Sequence, residues 1–242
     1  MNHSFFITGT DTGIGKTFVT SYLTAWLRKK GVQAVPYKPI QSGGMMKDGQ
    51  LQSEDVAFYK ALSALPYSDE TLCTYCFEDP VSPHLAMKRS NETIHIPTIM
   101  SQLKKLQAEN EFVFVEGAGG LAVPLVDQDE ETYMMTDFIK DIQVPLLIVT
   151  QPNLGSINHT LMTISYAQSE NISVAGIIVN QMPQTPNVMQ QDNVDMIEKI
   201  GKIPIVGMIP PIEEPLIQNS NDYMESHLHD VHLSAFFEKL NK

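Results

Sequence analysis

The run Thr8-Gly9-Thr10-Asp11-Thr12-Gly13-Ile14-Gly15-Lys16-Thr17 constrains this chain more than any other stretch. It follows a short apolar run, Phe5-Phe6-Ile7, and opens an amphipathic segment, so it reads as strand, loop and helix. Glycines let successive backbone N–H groups converge on one point, and the helix that follows adds its positive N-terminal end. Lys16 and Thr17 supply a charge and a metal-binding hydroxyl, which makes the loop a place for nucleotide phosphates. Counting back from Gly15-Lys16-Thr17 puts Thr10 where the strict pattern has its first glycine. The loop alone therefore leaves the reaction open.

Downstream, Val19, Tyr22, Leu23, Trp26 and Leu27 recur at helical spacing over Phe18 to Lys30, and Gly31 suits the C-cap. A second strand is expected over Ala34 to Lys38, ended by Pro39, with a polar loop from Gln41 to about Ser53. Asp55 opens the next helix, and 66–95, rich in Pro, Ser and Thr, reads as an irregular surface excursion. A helix over Ile96 to Ala108 precedes the apolar run Phe112-Val113-Phe114-Val115, which ends in Glu116-Gly117-Ala118-Gly119-Gly120. Strands then follow over Val144 to Thr150, Val174 to Asn180 and Ile205 to Ile209, the last before Pro210-Pro211. Helices to about Ser169 and over Val188 to Ile200 separate them. The alternation predicts an α/β fold with a single doubly wound, mostly parallel sheet, helices on both faces, and one domain over 1–242.

Composition narrows the partners. With 28 acidic and 16 basic residues the chain carries a formal charge of −12, which argues against a nucleic-acid or anionic-membrane surface. No stretch approaches the ~20 apolar residues of a membrane helix, and the N-terminus has no basic signal region. Two cysteines make no disulfide scaffold, so a reducing, cytoplasmic setting is expected.

Magnesium takes oxygen ligands, and Thr17, Asp55 and Glu116 are its best candidates, each beside a loop that follows a strand. A helix-start carboxylate such as Asp55 also has a purely structural reading. Lys38, a lone cation at a strand end, can either snorkel at an edge or face Lys16 and clamp a phosphoryl group. Asn153 to His159 reads as a helix start, either an ordinary capped one or a receiver for a carboxylate. Cys73 and Cys76 have zinc-like spacing without a second pair, and His84 and His95 do not complete a site. His227, His229 and His232 read as surface residues.

Taken together, Gly9 to Thr17, Tyr37-Lys38-Pro39 with Ser42, Glu116 to Gly120, and Gly155-Ser156-Ile157-Asn158-His159 resemble dethiobiotin synthetase, in order and over most of the chain. The resemblance implies an ATP-dependent ligase of biotin synthesis that closes a ureido ring on 7,8-diaminononanoate with carbon dioxide, acting as a homodimer with magnesium. It implies that Lys16 and Lys38 are catalytic, and that Thr17, Asp55 and Glu116 hold the metal. ATP would be bound by Gly13, Ile14, Gly15, Lys16, Thr17 and Phe18, by Asp55, by Glu116, Gly117, Ala118 and Gly119, and by Asn180, Gln181, Ile209, Pro210 and Pro211. Thr12 and Ser42 would contact the diamine, and Gly155, Ser156, Ile157 and Asn158 of a second subunit its distant carboxylate.

Two features depart from the family pattern. Some members carry a carboxylate where this chain has Gly13, and some use a tyrosine on the helix after the Asn180 strand, where none occurs between Met182 and Ile200. Rival readings fit less well. Partitioning ATPases place a signature lysine near the loop's start, where Asp11 stands, and a guanine switch wants Asn-Lys-x-Asp where Asn180-Gln181-Met182-Pro183 stands. An amidating ligase needs a glutamine-hydrolysing domain, for which the chain has no room.

Overall fold

Strands that are apolar on both faces must be covered on both sides. In the computed structural model, which describes residues 3–128, 131–211, 233 and 235–237, three such strands form the centre of the sheet. They are β1 (His3–Gly9), β6 (Phe112–Glu116) and β9 (Leu146–Thr150). β1 pairs in parallel with both of the others. Outward from β6 lie β2 (Ala34–Ser42) and the edge strand β5 (Cys73–Phe77). Outward from β9 lie β10 (Val174–Asn180) and β11 (Ile205–Ile209). The order of the seven strands is β11-β10-β9-β1-β6-β2-β5, and every pair is parallel.

Alternate residues of the central strands serve opposite faces. Phe5, Ile7, Phe112, Phe114, Leu147 and Val149 pack with Val19, Leu23 and Trp26 of α1 (Lys16–Lys29). On the other face Phe6, Val113 and Val115 pack with Ile99, Leu103 and Leu106 of α5 (Ile96–Glu109) and Phe138 of α6 (Met135–Ile142). Ile148, Ile177 and Val179 meet α7 (Ser156–Ser169) and α8 (Val188–Gly201) there. From β1 the chain winds outward through α1 to β2; from β9 it winds the opposite way through α7 to β10. That reversal opens a crevice at the strands' carboxyl ends, where the phosphate loop stands.

Three expectations need correction. Pro39 does not end its strand, which continues to Ser42. Pairing with β6 stops at Tyr37 and pairing with β5 begins at Lys38, so a missing N–H at 39 falls where one ladder hands over to the other. The polar stretch before Ser53 is a hairpin of β3 (Met45–Lys47) and β4 (Gln50–Gln52), turned by Asp48 and Gly49 at φ 51° and 78°. The segment 66–95 is no surface excursion. It holds α3 (Asp69–Leu72), the edge strand and α4 (Pro83–Arg89), and it buries Cys73, Tyr75 and Phe77 against the core. Residues 121–143, unassigned from sequence, form the hairpin β7 (Pro124–Gln128) and β8 (Glu131–Met134) and then α6. His227, His229 and His232 lie outside the described residues.

Gly176 tests how tightly the outer sheet is packed, because a Cβ there would sit 2.5 Å from Val206 Cγ1. Gly176→Ala is expected to destabilise the fold by about 1–3 kcal/mol, read as a lower urea midpoint at unchanged slope.

Candidate active site

At the end of β1 the chain turns through residues 10–15 and enters α1 at Lys16, with Gly15 in the left-handed region at φ 92°. No side-chain cap covers the first turn of α1, which leaves its N–H groups to a ligand. Gly9 is required by contact, since a Cβ there would lie 2.6 Å from Ile14 Cγ2. Lys16 is buried, and its ammonium curls back to 3.4 Å from the Asp11 carbonyl. Burial pulls the Lys16 pKa down, and the neighbouring Glu116 works against that.

Thr17, on the first turn of α1, meets both carboxylates. Its hydroxyl lies 3.0 Å from Asp55 Oδ1 and 2.9 Å from Glu116 Oε1, although it has a single proton to donate. Asp55 stands in the first turn of α2 (Glu54–Leu62), whose N-cap is Ser53, the acceptor for Val56 N–H. Glu116 ends β6 and is 1% exposed, so its charge has to be met by side chains. Lys38, on β2, does this: its ammonium is 2.5 Å from Asp55 Oδ2 and 2.9 Å from Glu116 Oε1. Burial favours a neutral Lys38, but Glu116 and Asp55 outweigh it and hold its pKa above the ordinary lysine value. Four chain segments thus bring Lys16, Thr17, Lys38, Asp55 and Glu116 to one point.

This donor set fits a hard divalent cation. It offers two carboxylates and a hydroxyl that touches both, with an ammonium already bridging the carboxylates as a stand-in positive charge. No group of three His, Cys, Asp or Glu residues gathers among the described residues. Such a cation would therefore complete its shell with phosphate oxygen and water, as magnesium does in phosphoryl-transfer sites.

Across the crevice, Asn180 at the end of β10 donates from Nδ2 to the Ile14 carbonyl at 3.0 Å, and its Oδ1 is buried without a partner. Gln151 Nε2, just past β9, reaches the same carbonyl at 3.2 Å. Asn180 pairs in register with Ile209, and Met182 N–H donates to the Ile209 carbonyl, so the Gln181 and Pro210 turns lie side by side. In the Glu116–Gly120 turn, Gly117 N–H donates to the Ile7 carbonyl, and a Cβ on Gly117 would stand 2.8 Å from the Phe6 ring. Ser42 closes β2 beside Gly43 and Gly44, whose N–H groups bond Asp79 and Phe77 carbonyls, and Thr12 is exposed on the phosphate loop. Gly155 enters α7 at φ 91°, and the Ser156 hydroxyl is buried without a hydrogen-bond partner.

A family model described as an AAA domain matches residues 3–217. The ATP-dependent dethiobiotin synthetase BioD of Anoxybacillus flavithermus is 41% identical over 206 residues, covering 85% of this chain and 90% of that protein. The Bacillus licheniformis protein of the same name is 38% identical over 229 residues, 95% of this chain and 94% of its own. The chain belongs to the dethiobiotin synthetase family. Solved structures extend the likeness in fold alone. A ParA family ATPase from Chlorobium tepidum superposes with a TM-score of 0.54 at 14% identity, covering 91% of this chain and 89% of that one. The septum site-determining protein MinD of Pyrococcus horikoshii, complexed with Mg-ADP, gives 0.53 at 16% identity over 91% and 85%. Both are as expected for a doubly wound parallel sheet.

Two residues of this cluster carry no mark in the sequence reading. Gln151 braces the phosphate loop, and Tyr59, 0% exposed on α2, donates its hydroxyl to Glu116 Oε2 at 2.6 Å. Tyr59 lies four residues after Asp55, which on a helix puts both on one face. That spacing was the available signal.

Gly15 and Gly13 separate steric from conformational demands. A Cβ on Gly15 would stand 2.1 Å from Asn180 Nδ2, whereas one on Gly13 meets nothing within 4 Å and carries only the strain of φ 76°. Gly15→Ala is expected to weaken ATP binding by at least tenfold, about 1.4 kcal/mol, and more than Gly13→Ala does, as measured by titration calorimetry.

Proposed function

We propose that this chain makes dethiobiotin, closing the ureido ring of 7,8-diaminononanoate with carbon dioxide at the expense of ATP. The observation that carries the reading is the convergence of two lysines, two carboxylates and a threonine hydroxyl beside a phosphate loop, in a chain of this family. One substrate amine adds to carbon dioxide and loses a proton, giving a carbamate. A carbamate oxygen attacks the γ-phosphorus and ADP leaves. The second amine then attacks the carbamoyl carbon, phosphate leaves with the C–O bond electrons, and loss of a proton gives the cyclic urea.

Each group has a task in that sequence. Phosphoryl transfer asks a protein chiefly for positioning and for charge placed where charge develops. The N–H groups of Gly13 to Phe18 take the phosphates, Lys16 the β- and γ-oxygens, and Lys38, released from its carboxylates, the carbamate and the transferring group. Thr17, Asp55 and Glu116 hold magnesium, which when bound neutralises charge on the phosphate oxygens. Asn180 offers its unpartnered Oδ1 to an adenine amino group, with Gln181, Ile209, Pro210 and Pro211 forming the rest of that wall. Thr12 and Ser42 receive the diamine. The first turn of α7 from a second copy, with the buried Ser156 hydroxyl, receives the distant carboxylate, so the active unit is a homodimer.

Incubation with ATP, magnesium, bicarbonate and 7,8-diaminononanoate is expected to yield ADP and dethiobiotin in equal amounts. ADP formed without the cyclic product, or only when another protein or a membrane is added, would sink the reading. Lys38→Ala is expected to lower turnover by roughly 10²- to 10³-fold while ATP still binds, measured by product formation and by calorimetry. Unchanged turnover in that variant would remove Lys38 from the chemistry.

A further inference from the structure

The Glu116 carboxylate is held at both oxygens, and the two are held differently. Oε1 faces the crevice, where the Thr17 hydroxyl and the Lys38 ammonium both reach it at 2.9 Å. Oε2 points the other way and takes the Tyr59 hydroxyl at 2.6 Å. Tyr59 is fully buried among Val56, Leu72 and other apolar side chains, and it rides on the same helix as Asp55. Its hydroxyl has one proton to give, and Glu116 Oε2 takes it. Lys38 and Thr17 have other work when substrates bind. Tyr59 has none that would take it from Glu116.

We infer that Tyr59 is a positioning residue that fixes Glu116 to bind metal through one oxygen only, and thereby makes the site select magnesium over calcium. The inference rests on the metal reading above. Magnesium requires near-octahedral geometry with single-oxygen ligands and retains waters, whereas calcium accepts more ligands and gains from bidentate carboxylates. A hydrogen bond that draws the far oxygen toward a buried phenol works against turning both oxygens toward the metal. Removing the phenol hydroxyl frees that oxygen and leaves it without its buried donor, and loss of a partner that orients a ligand typically costs roughly 10- to 100-fold in metal affinity.

The test is Tyr59→Phe, which keeps the ring and removes the hydrogen bond. Magnesium and calcium binding to the protein with a non-hydrolysable ATP analogue would be measured by calorimetry, with thermal melting as the check on folding. The ratio of the calcium to the magnesium dissociation constant is expected to fall by at least about tenfold in the variant. An unchanged ratio in a folded variant overturns the role of Tyr59, because a tyrosine that only fills the core would not alter ion discrimination. Failure of the wild-type protein to bind either ion overturns the metal reading itself. Should the variant not fold, difference infrared spectra of the wild-type protein, labelled with ¹³C at the glutamate side-chain carboxyl, decide the matter. A wider splitting of the labelled carboxylate stretches on adding magnesium supports single-oxygen binding, and a narrower one overturns it.

Discussion

A carboxylate that is almost wholly removed from water is the constraint on which the rest of this molecule turns. Glu116 ends the strand beside the central one, at 1% exposure, and an ionised group there is tolerable only if its oxygens are met by donors. The donors come from three different places in the chain: Thr17 from α1, Lys38 from β2 and Tyr59 from α2. Asp55, from α2 as well, shares two of them. The cluster therefore ties the first strand–helix unit to the second and both to β6. It also concentrates charge in a crevice that the sheet topology opens anyway.

Net charge and local charge have opposite senses here. The chain as a whole carries −12, yet the crevice brings two lysines together, both buried, within reach of the phosphate loop. Lys16 is held where burial and Lys38 weaken its hold on its proton; Lys38 is held where two carboxylates strengthen it. Two adjacent cations thus differ in electrostatic setting. In the proposed reaction the first stays with the nucleotide and the second moves between carboxylates and substrate.

Much of this was legible in the sequence, because parallel sheets read as apolar runs and their carboxyl-end loops follow directly. Phe112 to Val115 announced a buried strand, and the next residue was the buried carboxylate. Lys38 and Asp55 were legible for the same reason. The edge strand was not, because Cys73, Tyr75 and Phe77 alternate correctly but stand among prolines and serines that read as loop. The sequence implies a shorter β2 because a proline ordinarily stops a strand, whereas Pro39 marks a change of neighbour. Tyr59 was hidden in another way. An aromatic residue at helical spacing reads as core, and it is core; only the direction of its hydroxyl, set by long-range packing, makes it part of the site.

The two amides that reach the Ile14 carbonyl have an effect beyond bracing. A peptide plane has two ends, and in a trans unit the carbonyl and the following N–H point in opposite directions. Holding the Ile14 oxygen with Asn180 from β10 and Gln151 from beyond β9 therefore also fixes where the Gly15 N–H aims. Among the described residues, the half of the sheet that adds no side chain to the Glu116 cluster still sets the aim of a donor in the phosphate loop. A peptide flip at 14–15, the cheapest way for a glycine-rich turn to lose its shape, would have to break both bonds at once.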